Sequence, residues 1–323
     1  LVFRAAWAII DAGPATRALS TAITLETNSM NLLRWVAPTL GVAALAGPAF
    51  AESAVIFPSK DNTLYQFPGA EFSNGVGIYM FAGNTNQPFE GVRRGVVKFN
   101  VASVIPAGAT IDSVQLRVTV NKTQVGSVPF TLHRLTADWG EGPSDAGNPG
   151  GVGFPSQDGD ASWGYRFYPD EAWDNEGGDF IPTVSSQVNL SGNGTYFFPT
   201  SPQFVADVQL FLDHPEQNFG WIICGNENIR SAKRLYTREH SNAAQRPALL
   251  VTFTPAPVFQ PGDMNCDGSV SVSDIGPFVM AVTNPAGFAA AFPNCDIDLA
   301  DLNGDGQVTV SDIGPFVELL TGV

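Results

Sequence analysis

The chain predicts a mostly β protein, a two-sheet β-sandwich of jelly-roll type, with a small α-helical domain after it. Three observations predict this. Short runs of alternating apolar and polar residues recur between turn clusters from residue 52 to 255. A twelve-residue loop occurs twice near the C-terminus, each copy leading into a run with helical spacing. The composition, with 11% aromatic residues, 33 Gly and 24 Pro, suits a folded β-rich chain and not a disordered one.

Residues 1–29 show neither helical nor strand period and are expected to be an upstream over-extension. Residues 30–51 read as a signal peptide: Arg34 supplies a basic start, Val36 to Ala46 an apolar stretch, and Ala49-Phe50-Ala51 a small-x-small cleavage site before Glu52. A membrane anchor is the other reading, but a span needs about 18 or more uninterrupted apolar residues, and Pro38 and Pro48 break this one. The expectation is a secreted, extracellular or cell-surface protein, cleaved after Ala51, with no membrane span in the mature chain. Setting aside Arg4, Arg17 and Arg34 with Asp11 and Glu26 leaves 13 basic and 29 acidic residues, a net charge of −16. Such a chain repels nucleic acid and anionic membranes.

In the 52–255 region, Val114, Leu116, Val118 and Val120 alternate with polar residues, as a half-buried strand does. Val97, Phe99 and Val101 do the same, and Leu249, Val251 and Phe253 form a last strand. Val55–Phe57, Gly77–Met80, Phe130–Leu132 and Gly194–Phe198 add short strands. One helix interrupts after Ser201-Pro202, where Phe204, Val208, Phe211 and Leu212 fall at i, i+4, i+7 and i+8. Residues 256–261, with Pro257 and Pro261 following Pro255, read as a stiff linker.

The 262–323 segment holds the repeats. Loop one places Asp263, Asn265, Asp267, Ser269, Ser271 and Asp274 at positions 1, 3, 5, 7, 9 and 12; loop two places Asp301, Asn303, Asp305, Gln307, Thr309 and Asp312 there. Gly268 and Gly306 stand at position 6. Oxygen ligands at this spacing, with a backbone carbonyl at position 7 and a glycine for the sharp turn, are what calcium requires. Both loops run into the same heptapeptide, Ser-Asp-Ile-Gly-Pro-Phe-Val. Ile275, Phe278 and Val279, and Ile313, Phe316 and Val317, are expected to form one apolar stripe per helix. The segment contains eight Asp, one Glu and no Lys or Arg, so two calcium ions would bring −9 to −5. It is expected to fold only with metal bound. Cys266 and Cys295 have a spacing that allows a disulfide in an oxidising compartment, although spacing does not show that the sulfurs meet. Cys224, in an apolar run, reads as a buried thiol.

This segment resembles a dockerin in having Asp at position 12 and no helix entering either loop. The resemblance implies two calcium ions and a cohesin-like or other docking protein as partner. Val272-Ser273 and Val310-Ser311 stand at positions 10 and 11, where dockerins help select that partner. The long apolar connector from Ala286 to Ala300 departs from the pattern.

The 52–255 region resembles the DNRLRE-type carbohydrate-binding modules (family 96). The likeness rests on Asp61-Asn-Thr, Ser73-Asn-Gly, Arg93-Arg-Gly-Val-Val-Lys-Phe99, Ile105-Pro-Ala-Gly, Ala137-Asp-Trp-Gly-Glu141, Phe219-Gly-Trp221 and Arg234-Leu-Tyr-Thr-Arg-Glu239, in that order. It implies an exported polysaccharide-binding module, acidic glycans being one ligand class.

Glycan binding needs aromatic faces and polar or cationic groups. Trp163, Tyr165, Tyr168 and Trp173 lie in a Gly- and Asp-rich stretch, while Trp139 and Trp221 read as core. Arg94 and Arg238, with Arg134 and Arg234, are candidate carboxylate clamps or salt-bridge partners. Asp158, Asp160, Asp170 and Glu171 offer a weaker structural calcium site. A rival class is a polysaccharide lyase or glycoside hydrolase, using acids among Asp138, Glu141, Glu171, Asp174 and Glu176 or one of His133, His214 and His240. A third is a structural envelope, matrix or adhesion protein.

Overall fold

The computed structural model describes residues 51–85 and 91–322. The expected over-extension at 1–29 and nearly all of the expected signal peptide lie outside the described residues.

The architecture is mostly β. Eleven strands join in one curled antiparallel sheet: β1 (Glu52–Ile56), β2 (Pro58–Tyr65), β3 (Tyr79–Asn84), β4 (Val92–Phe99), β5 (Thr110–Thr123), β6 (Val128–Arg134), β7 (Ser186–Leu190), β8 (Gly194–Phe198), β9 (Trp221–Cys224), β10 (Lys233–Tyr236) and β11 (Ala248–Thr254). The order is β1-β11-β5-β10-β3-β4-β9-β6-β7, with β8 also on β5 and β2 also on β4. The sheet turns its corner in β3, whose residues 79–82 pair with β10 and 83–84 with β4. Gly83 makes that turn at φ +98°, and a Cβ there would lie 2.6 Å from Ser231 Oγ.

Alternation sets which side chains meet inside the curl. Val114, Leu116, Val118 and Val120 are all buried, as expected, and join Val97, Phe99, Phe130, Leu132, Trp221 and Leu235 in one core. Helix α1 (Pro202–Asp213) closes it. Ser201 caps the helix by accepting from Phe204 N, and Pro202 occupies the first turn. Phe204 and Phe211 meet the Trp221 ring edge-on at 5.3 and 4.9 Å. His214 is the C-cap of α1.

Strand β2 has no apolar alternation in its middle. Asp61, Asn62 and Thr63 are all fully buried and are held by hydrogen bonds, which is how buried polar groups avoid a large desolvation cost. Asn62 donates to Ser73 Oγ and the Glu141 carbonyl, both at 2.8 Å, and accepts from Asn74 N at 2.9 Å. Thr63 Oγ1 accepts from Phe81 N at 3.0 Å.

The 262–323 segment is helical. Short 3-10 turns, Val272–Asp274 and Val310–Asp312, lead into α2 (Ile275–Thr283) and α4 (Ile313–Thr321), with α3 (Pro285–Ala291) between them. Phe278 and Phe316 stack at 4.0 Å with 6° between their planes, inside a separate cluster with Met264, Ala281, Phe288 and Ala300. The single apolar stripe per helix is corrected here. Phe278 and Phe316 turn inward, whereas Ile275, Val279, Ile313 and Val317 are 45–51% exposed. On a helix, i and i+4 nearly coincide while i+3 is displaced to one side. The Phe–Phe stack therefore draws its own face into the core and leaves the Ile/Val row outside.

Candidate functional site

The aromatic stretch expected to bind glycan does not form one platform. Trp173 is 5% exposed, and its indole donates to Ser162 O at 3.0 Å. It packs with Leu64, Trp139 and Ile222 and presents no face to a ligand. Trp139 is fully buried, with its indole on Phe219 O. Trp163 is half-buried under the Arg94 guanidinium, 4.9 Å from its ring. Tyr165 and Tyr168, edge to face at 5.3 Å, remain partly open.

Of the four candidate clamps, Arg94, Arg134 and Arg238 are engaged with acids, Arg134 with Asp207 at 3.2 Å. Arg94 grips Glu227 with Nε at 2.7 Å and Nη2 at 3.0 Å, and gives Nη1 to Gly177 O. Arg238 holds Glu141 with two nitrogens and Glu239 with Nε. Arg94 lines a 460 Å³ cavity with Thr131, His133, Phe180 and Gln187. Burial pushes the His133 pKa down, and both ring nitrogens already have partners, Ile181 O and Thr131 Oγ1, each at 3.1 Å. Asp138 is ion-paired with Lys60 and Lys98, and Glu171 with Arg166. Asp160 accepts from Gln157 N and Ser144 N.

A different cleft gathers cations. It is lined by Phe81, Lys122, Gln124, Pro149, Val152 and Arg234, among others, around 190 Å³. β10 and β5 bring Lys122 opposite Arg234 across the ladder. Arg234 lies 3.8 Å from the Tyr79 ring centre, and its Nε donates to Asn121 Oδ1 at 2.8 Å. Arg230 Nε donates to Gln124 Oε1 at 2.6 Å. Beneath them Lys233 is fully buried, and its ammonium donates to Thr123 Oγ1 and to the carbonyls of Val125, Gly126 and Ser191. Among the described residues none of Lys122, Arg230, Lys233 and Arg234 is ion-paired to a carboxylate. The strip continues through aromatic faces: Tyr79 stacks on Tyr236 at 5.8 Å, and Tyr236 meets His240 at 3.8 Å. In so acidic a chain, four cations without acids create a local positive field beside rings. Strand reasoning missed Lys122, Arg230, Tyr79 and Tyr236. The available signal was Arg230, Lys233, Arg234 and Arg238 crowded within nine residues.

The two C-terminal loops share one hydrogen-bond pattern. Asp263 accepts from Asp267 N and Gly268 N, and Asp274 from Met264 N, Asn265 N and Ser271 N. In loop two Asp301 accepts from Asp305 N and Gly306 N, and Asp312 from Leu302 N, Asn303 N and Thr309 N. Asn265 and Asn303 each accept from the backbone two residues on. Asp267 holds Ser269 Oγ at 2.7 Å, which keeps its carboxyl below the usual range. The donor set is all hard oxygen, three Asp and one Asn per loop, which suits calcium and not a soft metal. Among the described residues no three carboxylate, imidazole or thiol groups are drawn together as a ready-made metal set; the position-12 carboxylates are spent on backbone N–H groups. Cys266 and Cys295 are bonded, with Cα atoms 5.8 Å apart. Cys224 is free, and burial pushes its thiol up to about 12. Among the described residues no helix is long and apolar enough to cross a membrane.

No protein-family model matches this chain, and no curated protein does.

Proposed function

We propose that this is a secreted, non-catalytic polysaccharide-binding protein with a dockerin-like tail. In this reading the curled sheet is a two-sheet, jelly-roll-like sandwich of the DNRLRE carbohydrate-binding type. The tail binds two calcium ions and docks on a cohesin-like or other protein in an extracellular or cell-surface complex. The observation that carries the reading is the duplication in the tail. Two loops with calcium-spaced oxygens repeat one hydrogen-bond pattern, and an exposed apolar row runs from the end of each into its helix: Val272, Ile275 and Val279, then Val310, Ile313 and Val317. Apolar rows left in water on a small acidic unit suit a protein partner, and their duplication gives two equivalent docking orientations.

The unpaired cations and aromatic rings between Lys122 and His240 support an acidic glycan as ligand, since guanidinium and ammonium groups read carboxylates while rings stack on sugar faces. The stretches behind the carbohydrate-module resemblance support it further. Asp61-Asn-Thr, Ser73-Asn, Glu141 and Arg238-Glu239 meet around β2, although Asp61 and Arg238 are 177 residues apart. The test is retention of the full chain on acidic and neutral polysaccharides, with calcium and with chelator, while reducing or unsaturated ends are monitored. Retention on acidic polymers without product, lost in Lys122→Ala/Arg234→Ala, is expected. Product release would make the protein an enzyme, and retention unchanged in the double variant would move the glycan elsewhere.

A further inference from the structure

The acids around Asp61 serve neither the cleft nor the tail. Asp61, on β2, is fully buried. Its Oδ2 accepts from Arg238 N at 2.8 Å, while Oδ1 has no hydrogen-bond partner. Glu239 gives Oε1 to Arg238 Nε at 2.9 Å, and its buried Oε2 also has no partner. The third acid, Glu141, is saturated: it accepts from Asp61 N at 2.9 Å and from two nitrogens of Arg238. Two carboxylates, Glu141 and Glu239, therefore share one guanidinium, and the third, Asp61, has only the backbone N–H of the same arginine. Lys60, next to Asp61 in sequence, is turned away onto Asp138 and the Trp139 carbonyl.

An ionised carboxylate buried with one hydrogen bond is costly, and two facing a single shared cation more so. Positive charge must therefore sit at the orphaned oxygens. A calcium ion takes six to eight oxygens; the cluster offers two, and no metal-ready group of three exists among the described residues. A proton needs only one of them.

We propose that this buried group of acids keeps one proton at neutral pH, on the orphaned Asp61 Oδ1 or Glu239 Oε2, a carboxylic-acid latch where β2 meets the segment after β10. Burial, and next the charge of Glu239, raises the Asp61 pKa well above the ordinary carboxylate range; burial raises that of Glu239 too. Glu141 faces the pair and favours keeping the proton, while Arg238 opposes it. The folded chain thus holds a proton that the unfolded chain releases. The latch stabilises fully below the ordinary carboxylate range and is lost as pH rises through the folded value.

The tail contains no Trp or Tyr, so with Trp7→Phe and Trp35→Phe introduced the tryptophan fluorescence of the full chain follows the β region alone. In denaturant titrations run in chelator, the midpoint should fall as pH rises from mildly acidic to alkaline. Asp61→Asn and Glu239→Gln should each flatten that fall, Glu239→Gln keeping the test open if the deeper substitution does not fold. Infrared spectra at neutral pH should show one protonated carboxyl that vanishes in either variant. A pH slope in both variants as steep as the wild type's, a wild-type spectrum with every carboxyl ionised, or a divalent cation retained after chelation and lost in Glu239→Gln would overturn the proposal.

Discussion

The two loops of the tail carry the same acids and the same heptapeptide, yet they solve position 4 differently. That position lies in the left-handed region in both, at φ 56° in Cys266 and 73° in Gly304. Glycine enters that region without steric penalty, whereas a residue with a Cβ gives up about 1–2 kcal/mol there. The repeat that lacks the glycine is the one tied by a disulfide to Cys295. Their surroundings differ as well. Asp263 is fully buried but Asp301 only half, and at Gly262, just before loop one, a Cβ would lie 2.6 Å from Leu319 of α4. Loop one is built into the small core and loop two stands at its rim. Copying a sequence did not copy its environment, and the copy with less room acquired the cross-link.

This difference can be broken in graded steps. Chelation is expected to have the largest effect: the tail loses its helical circular dichroism while the tryptophan fluorescence of the β region stays native. A folded tail in excess chelator would refute calcium-coupled folding. Phe278→Ala and Phe316→Ala, which dissolve the shared stack, should each cost about 3–5 kcal/mol and equalise the repeats by loosening both, as calcium-loaded thermal melts would show. Cys266→Gly with Cys295→Ala gives loop one the chemistry of loop two. It should lose about 3–4 kcal/mol of cross-link stabilisation and regain about 1 kcal/mol at position 4. A variant as stable as the parent would mean that the disulfide only decorates the loop. Asp263→Ala should destabilise more than Asp301→Ala, by about 1–3 kcal/mol, because only the first leaves a buried N–H, that of Gly268, without its acceptor; equal losses by calorimetry would erase the core-versus-rim distinction. The smallest stability change, within about 0.5 kcal/mol, is expected for Val272→Ser with Val310→Ser, which should abolish docking only when both rows are altered.

Legibility followed the same divide between side chains that act by type and those that act by surroundings. The strand around Val114 was plain in the sequence because alternation and burial coincide there. So was α1, whose cap, proline and apolar period agree. Strand β2 was not, because its buried centre is Asp-Asn-Thr and its partners lie in distant loops. The loop oxygens were legible from spacing alone, but the outward turn of Ile275 and Val279 depends on a stack between two helices that neither repeat encodes by itself. The candidate binding residues were hardest. Trp173 has the right type in the right stretch, yet its indole finds Ser162 O and the ring is swallowed. The cleft is assembled instead from Arg234, already a candidate clamp, and Lys122, unremarkable until β5 and β10 pair.

Lys233 has one more consequence. Its amine is enclosed by four oxygen acceptors and is wholly cut off from solvent, while burial depresses its pKa. A reagent that acylates surface amines should mark Lys60, Lys98 and Lys122 in the native protein and find Lys233 only in chains that have opened. The lysine beneath the cleft therefore makes a built-in footprinting clock: the rate at which it becomes labelled counts how often the β region comes apart.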